Sequence, residues 1–93
     1  MPISRDHDPD RAAVWAARRK TLGRNIRQVR QERGLTQEAL SLEAGVSRNM
    51  LITLEWGQRS ILADRLGDIA EVLGVTAADL LADPTAPKQP EAN

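Results

Sequence analysis

Between Thr36 and Gly57 the chain has room for two helices of about two turns each and little else. Thr36 offers a hydroxyl to the free N–H groups of a first turn. Gln37, Glu38, Ala39, Leu40, Ser41 and Leu42 carry that helix to Ala44, and Gly45 ends it. After Val46, Ser47 caps a second helix from Arg48 to Trp56, closed by Gly57. A turn as tight as Ala44-Gly45-Val46-Ser47 forces the two helices to cross steeply. The spacing turns Leu51 and Leu54 inward and leaves Arg48, Asn49, Ile52 and Thr53 at outward positions.

Helical punctuation continues on both sides. Asp8-Pro9-Asp10 supplies a cap acceptor, a proline at the first helical position and an acid at the positive dipole end. Trp15, Leu22, Ile26 and Val29 then fall at helical spacing up to Gly34. Thr21-Leu22-Gly23 allows a break, so one long helix or two nearly collinear ones are expected there. A fourth helix carries Leu62, Leu66, Ile69, Ala70 and Leu73 on one face and ends at Gly74; Thr76 caps a short fifth that reaches Leu80 and Leu81. With no Tyr, no Phe and no alternating segment, nothing reads as strand. The expectation is an all-α domain at 9–82, with its two-helix core at 36–57, a flexible arm at 1–8 and a proline-rich disordered tail at 83–93.

Several function classes are set aside. A chain of 93 residues allows one domain, and the lack of cysteine leaves no disulfide framework or thiolate chemistry. No stretch has the roughly 18 apolar residues of a membrane span, and MPISRDHDPD is unlike a signal peptide, so a cytoplasmic protein with no membrane partner is expected. His7 beside Asp6, Asp8 and Asp10 resembles a metal cluster, but the residues are nearly adjacent and lack the glycine and glutamate of a calcium loop. The flexible acidic arm is the better account, so no metal and no cofactor are expected. No nucleophile–base pair or phosphate-binding glycine loop is present either, and an enzyme is rejected.

Formal net charge is zero, but its distribution is uneven. From Arg11 to Arg33 there are eight cations against Glu32 alone, whereas the stretch from Ile61 onward has two cations and six acids. Such a dipolar domain can turn a basic face to a polyanion. The helix opening at Ser47 fits the major groove by diameter; arginine matches the paired acceptors of guanine, and asparagine can pair with adenine. Gln37 and Ser47, at helix starts, are placed to grip phosphate.

These residues carry a resemblance. Arg27 and Arg30 before Gly34-Leu35-Thr36-Gln37, then Gly45-Val46-Ser47, Glu55-x-Gly57 and Leu73-Gly74-Val75 together resemble the Cro/phage-repressor (XRE-like) helix-turn-helix family, over Leu22 to Leu81. The resemblance implies a five-helix, lambda-repressor-like fold that binds double-stranded DNA, with the third helix as reader. It implies base contacts from Arg48, Asn49 and Thr53, backbone contacts from Gln37, Ser47 and Arg59, and a structural ion pair between Arg30 and Glu55. The sequence departs from the pattern at Ser41, where alanine is usual, in the loop after Gly57, which has Ile61-Leu62 in place of the common proline, and at apolar Leu42, Met50, Ile52 and Trp56.

One small reader contacts too few base pairs to be selective, so a homodimer acting as a transcriptional regulator, a repressor, is expected. Candidate interface residues are Ile52, Trp56, Ile61 and Leu62, with the fifth helix. Two rival readings stand beside it: an antitoxin or accessory subunit with a protein partner, and an interaction module using the Leu42, Ile52 and Trp56 surface.

Overall fold

Four helices of this chain start where a side-chain oxygen meets a free backbone N–H. Asp8 accepts from Asp10 N–H, Thr36 from Ala39, Ser47 from Met50 and Thr76 from Asp79. The computed structural model describes residues 7–85, which form α1 (Pro9–Glu32), α2 (Gln37–Ala44), α3 (Arg48–Glu55), α4 (Ala63–Leu73) and α5 (Ala77–Leu81). No strand occurs among the described residues. Apart from residues 7–8 and 83–85, the arm and tail expected at the two ends lie outside them.

The first helix runs unbroken for 24 residues, so Thr21-Leu22-Gly23 is not an interruption. Gly45, in the left-handed region at φ 71°, ends α2 with paired bonds: its N–H donates to Leu42 O and Val46 N–H to Ser41 O. Only glycine takes that conformation without strain, and Val46 then packs on the core, the usual apolar partner of such a cap. Ser41, buried at the α2 position where alanine is usual in the resembling family, donates its hydroxyl to Glu38 O at 2.8 Å and leaves no orphaned polar group.

Every helix contributes to one core: Leu22 and Ile26 from α1, Leu40 and Ala44 from α2, Leu51 and Leu54 from α3, Leu66, Ile69, Ala70 and Leu73 from α4, and Leu80 from α5. Burying a leucine or isoleucine is worth roughly 1.5–3 kcal/mol, so these positions supply the main driving force. α1 lies between α3 and α5, α2 between α3 and α4, and α5 also packs on α4. The register before α4 differs from the expected one. Leu62 precedes the helix and is 75% exposed, while Ile61 turns inward against the core. A residue outside the first turn no longer follows helical spacing, so the apolar face of α4 starts at Leu66.

Polar ties join helices distant in sequence. Asn25 Nδ2, in mid-α1, donates to Leu80 O at 2.9 Å and Ala82 O at 2.7 Å, holding the end of α5. Arg33 Nε donates to Leu73 O at 3.0 Å at the end of α4. At the start of α5, Thr76 and Asp79 cap each other's backbone reciprocally. The Thr76 backbone N–H, and then its hydroxyl, hold the Asp79 carboxyl below its ordinary range.

Candidate nucleic-acid interface

An eight-residue helix cannot hold its own position, and α3 is fixed chiefly at its C-terminal end. Gly23 of α1 faces the last carbonyls of α3; a Cβ on it would collide with the backbone oxygens of Leu54 and Glu55. Gly57, at φ 72°, lies so close to Lys20 that a Cβ would come within 2.8 Å of its Cγ. Seven residues beyond Gly23, Arg30 Nε donates to Glu55 Oε2 at 2.7 Å and its Nη2 to Oε1 at 3.0 Å. The third donor of the guanidinium, Nη1, reaches Leu35 O at 2.9 Å. Both side chains are withdrawn from solvent, 11% and 3% exposed, so the charge pair is held in a fixed planar geometry.

The opposite end of α3 is open. Ser47, Arg48 and Asn49 are exposed, and among the described residues no ion pair or side-chain hydrogen bond engages Arg48 or the Asn49 side chain. Four helices carry an acid in their first turn, whereas α3 carries none. Arg48 stands at its first position, where a cation opposes the helix dipole. This end is therefore electropositive and uncompensated by its own helix. Thr53 is half-buried, and its hydroxyl donates to Asn49 O and Met50 O, both at 3.0 Å. With that proton committed to the helix, Thr53 keeps a methyl and an oxygen lone pair for other contacts; a threonine methyl suits the thymine methyl.

The Ser47 oxygen accepts from Met50 N–H at 3.0 Å, which leaves its own proton to donate. Gln37, first residue of α2, donates through Nε2 to Glu55 Oε1 at 3.2 Å and keeps a second amide proton. Arg59 is exposed in the loop after α3, beside a groove lined by Met50, Ser60, Ile61, Leu62 and Arg65. Arg65 spans that side of the turn, its Nη1 donating to Gly45 O at 3.4 Å.

The apolar candidates separate into two places. Ile52, half-buried, and Trp56, 66% exposed, share a cleft between α1, α2 and α3 with Arg27, Arg30, Gln37 and Glu55. Leu42, 74% exposed on α2, does not line that cleft, so the three residues of the interaction-module reading form no single patch there. Leu62 lines the separate groove beside Arg59.

Gly23, Gln37 as a second support of Glu55, and the Asn25 tie are supporting contacts that spacing did not indicate. A glycine or asparagine persisting inside a good helix was the available signal, because each lowers helix propensity without an evident local reason. Among the described residues no group of His, Cys, Asp or Glu side chains is placed to hold a metal, and no helix is long and apolar enough to cross a membrane.

Comparison with known proteins matches residues 26–80 to the helix-turn-helix family profile. An uncharacterized HTH-type transcriptional regulator, y4dJ of Sinorhizobium fredii, is 38% identical over 63 residues, covering 68% of this chain and 82% of that protein. The clp gene regulator ClgR from Corynebacterium glutamicum superposes with a TM-score of 0.65 at 32% identity, covering 68% of this chain and 67% of the other. The restriction-modification controller protein C.AhdI from Aeromonas hydrophila superposes with a TM-score of 0.67 at 28% identity, covering 69% and 97%.

Proposed function

The chain belongs to the XRE-like helix-turn-helix family of DNA-binding transcriptional regulators, and from that premise we propose that it is a sequence-specific repressor acting as a homodimer. The observation that carries the reading is the open end of α3. Arg48 and Asn49 are exposed and unengaged, among the described residues, on a helix whose first turn has no acid to neutralise its dipole. A chain shaped only for stability gains nothing from a cation at that position. A partner bearing phosphates and base-edge acceptors gives it one.

In this reading α3 enters the major groove with its N-terminal turn leading. Arg48 pairs with guanine acceptors, Asn49 with adenine, and the Thr53 methyl rests against thymine. Gln37, Ser47 and Arg59 grip the sugar-phosphate backbone and set the register. The Arg30–Glu55 pair and the Gly23 contact hold the far end of α3 so that these side chains meet the bases at a fixed depth. Two copies related by a two-fold axis, with reading helices about 34 Å apart, supply the selectivity that one copy lacks. Leu62 and α5 form their interface, with Leu62 the exposed apolar anchor. Occupancy of a site on bacterial DNA is the means of repression, which places the protein with the nucleoid in the cytoplasm.

Selection from a random duplex library at near-physiological salt tests the reading. An enriched inverted repeat is expected, and it should disappear with Arg48→Ala/Asn49→Ala while the helical fold persists. A folded wild-type chain that enriches nothing overturns it.

A further inference from the structure

The α1 helix has two flanks with different neighbours. Asn25 binds the end of α5 on one side, and Val14, Ala17, Arg18 and Thr21 line a groove there with Leu81. The other flank carries Lys20, Arg24 and Arg27, spaced i, i+4 and i+7 and hence on one helical face. All three are exposed, and none is engaged in an ion pair or hydrogen bond among the described residues. Lys20 abuts Gly57 at the end of α3, and Arg27 shares the cleft of Gln37, Ile52 and Trp56. The cationic flank is therefore continuous with the reading helix, not remote from it. Lys20 and Arg24 also precede the segment that matches the family profile.

We propose that Lys20, Arg24 and Arg27 form a second phosphate-binding strip, which holds one strand of the DNA backbone alongside the C-terminal end of α3. The inference rests on the DNA-binding reading above. The backbone of the strip spans about 10 Å, and side chains as long as lysine and arginine extend its reach along one strand. Three cations without acidic partners among the described residues, spread over that length, neutralise successive phosphates without reading any base. Their contribution is thus to affinity and salt dependence, whereas Arg48 and Asn49 contribute preference. An intramolecular acidic partner would compete with phosphate, so open cations suit this role.

The test is the slope of log Kd against log salt concentration, measured for the full chain on the selected duplex and on a random-sequence duplex. Lys20→Gln/Arg24→Gln/Arg27→Gln is expected to reduce the magnitude of that slope by about 2.7 on both, about 0.9 for each phosphate no longer neutralised. Sequence preference should be unchanged. Each single variant is expected to reduce it by about 0.9, which keeps the test available if the triple variant folds poorly. Arg18→Gln removes one charge from the opposite flank and should leave the slope unaltered. An unchanged slope in the strip variants, or an equal reduction in Arg18→Gln, overturns the proposal. If wild type binds both duplexes equally, the sequence-specific reading falls while the strip is still judged by its slope. If it binds neither, both fall.

Discussion

Arg30 and Glu55 are joined at two points, Nε to Oε2 at 2.7 Å and Nη2 to Oε1 at 3.0 Å, with a sequence separation of 25. The pair is largely desolvated, so its worth is in what its disruption leaves behind. Glu55→Ala leaves a buried guanidinium with only Leu35 O, and should destabilise the fold by about 3–5 kcal/mol in urea unfolding. Arg30→Met/Glu55→Leu removes both charges and should recover most of that stability. A double variant as unstable as Glu55→Ala would show that the pair itself, and not the orphaned charge, carries the stability.

Two helical glycines should respond to alanine with opposite signs. Gly67 in α4 has open space around its absent Cβ, so Gly67→Ala should stabilise by about 0.5–1 kcal/mol through helix propensity. Gly23→Ala gains the same propensity but drives a methyl into the carbonyls of Leu54 and Glu55. Overpacking of this kind costs about 1–3 kcal/mol, so a net loss of stability is expected. Displacement of α3 should also weaken DNA binding out of proportion to the stability change. Thermal unfolding and DNA titration of the two variants check this, and equal behaviour would remove Gly23 from the support of α3.

Leu62 is the exposed apolar side chain at the Arg59 groove, whereas Ile61 beside it packs inward. If two copies meet at this surface, Leu62→Glu should move the monomer–dimer equilibrium towards monomer with little effect on folding, as read by sedimentation. DNA half-site binding should survive while cooperativity on an inverted repeat is abolished. An unaltered association state would move the interface away from this loop.

Asp79 gives the chain a pH-dependent element. Its carboxylate accepts from Thr76 N–H at 2.9 Å, and its acidity is raised relative to an unfolded aspartate. The stabilisation is therefore complete above the ordinary aspartate pKa and disappears as pH falls through the lower folded value. Asp79→Asn should reduce the slope of stability against pH in that acidic window and leave it unchanged near neutrality. A slope identical to wild type would show that α5 does not depend on this cap.

What the sequence revealed of this fold was local. Asp8, Thr36, Ser47 and Thr76 act within three residues of themselves, and Gly45 and Gly57 end the helices they follow, so all are readable from neighbours alone. The apolar positions of α3 and most of α4 follow from periodicity. Gly23 read as a potential break because its reason lies 31 residues away, at Leu54. Asn25 reaches Leu80 and Ala82 across 55 and 57 residues, and Arg33 reaches Leu73 across 40; no pattern in a window of the chain encodes such ties. Ile61 and Leu62 differ in environment because loop geometry, not helical spacing, sets their directions. The open cations of α1 were visible as a run of charge, but which of them share a flank with α3 required the packing of that helix.

The tie from Asn25 to Leu80 and Ala82 decides on which side the polypeptide leaves the domain. Asn25 and Arg27 are two residues apart on α1, about 200° around its axis, so the end of α5 lies across that helix from Arg27. In the proposed DNA complex the end of α5 is therefore held on the side of α1 away from the duplex.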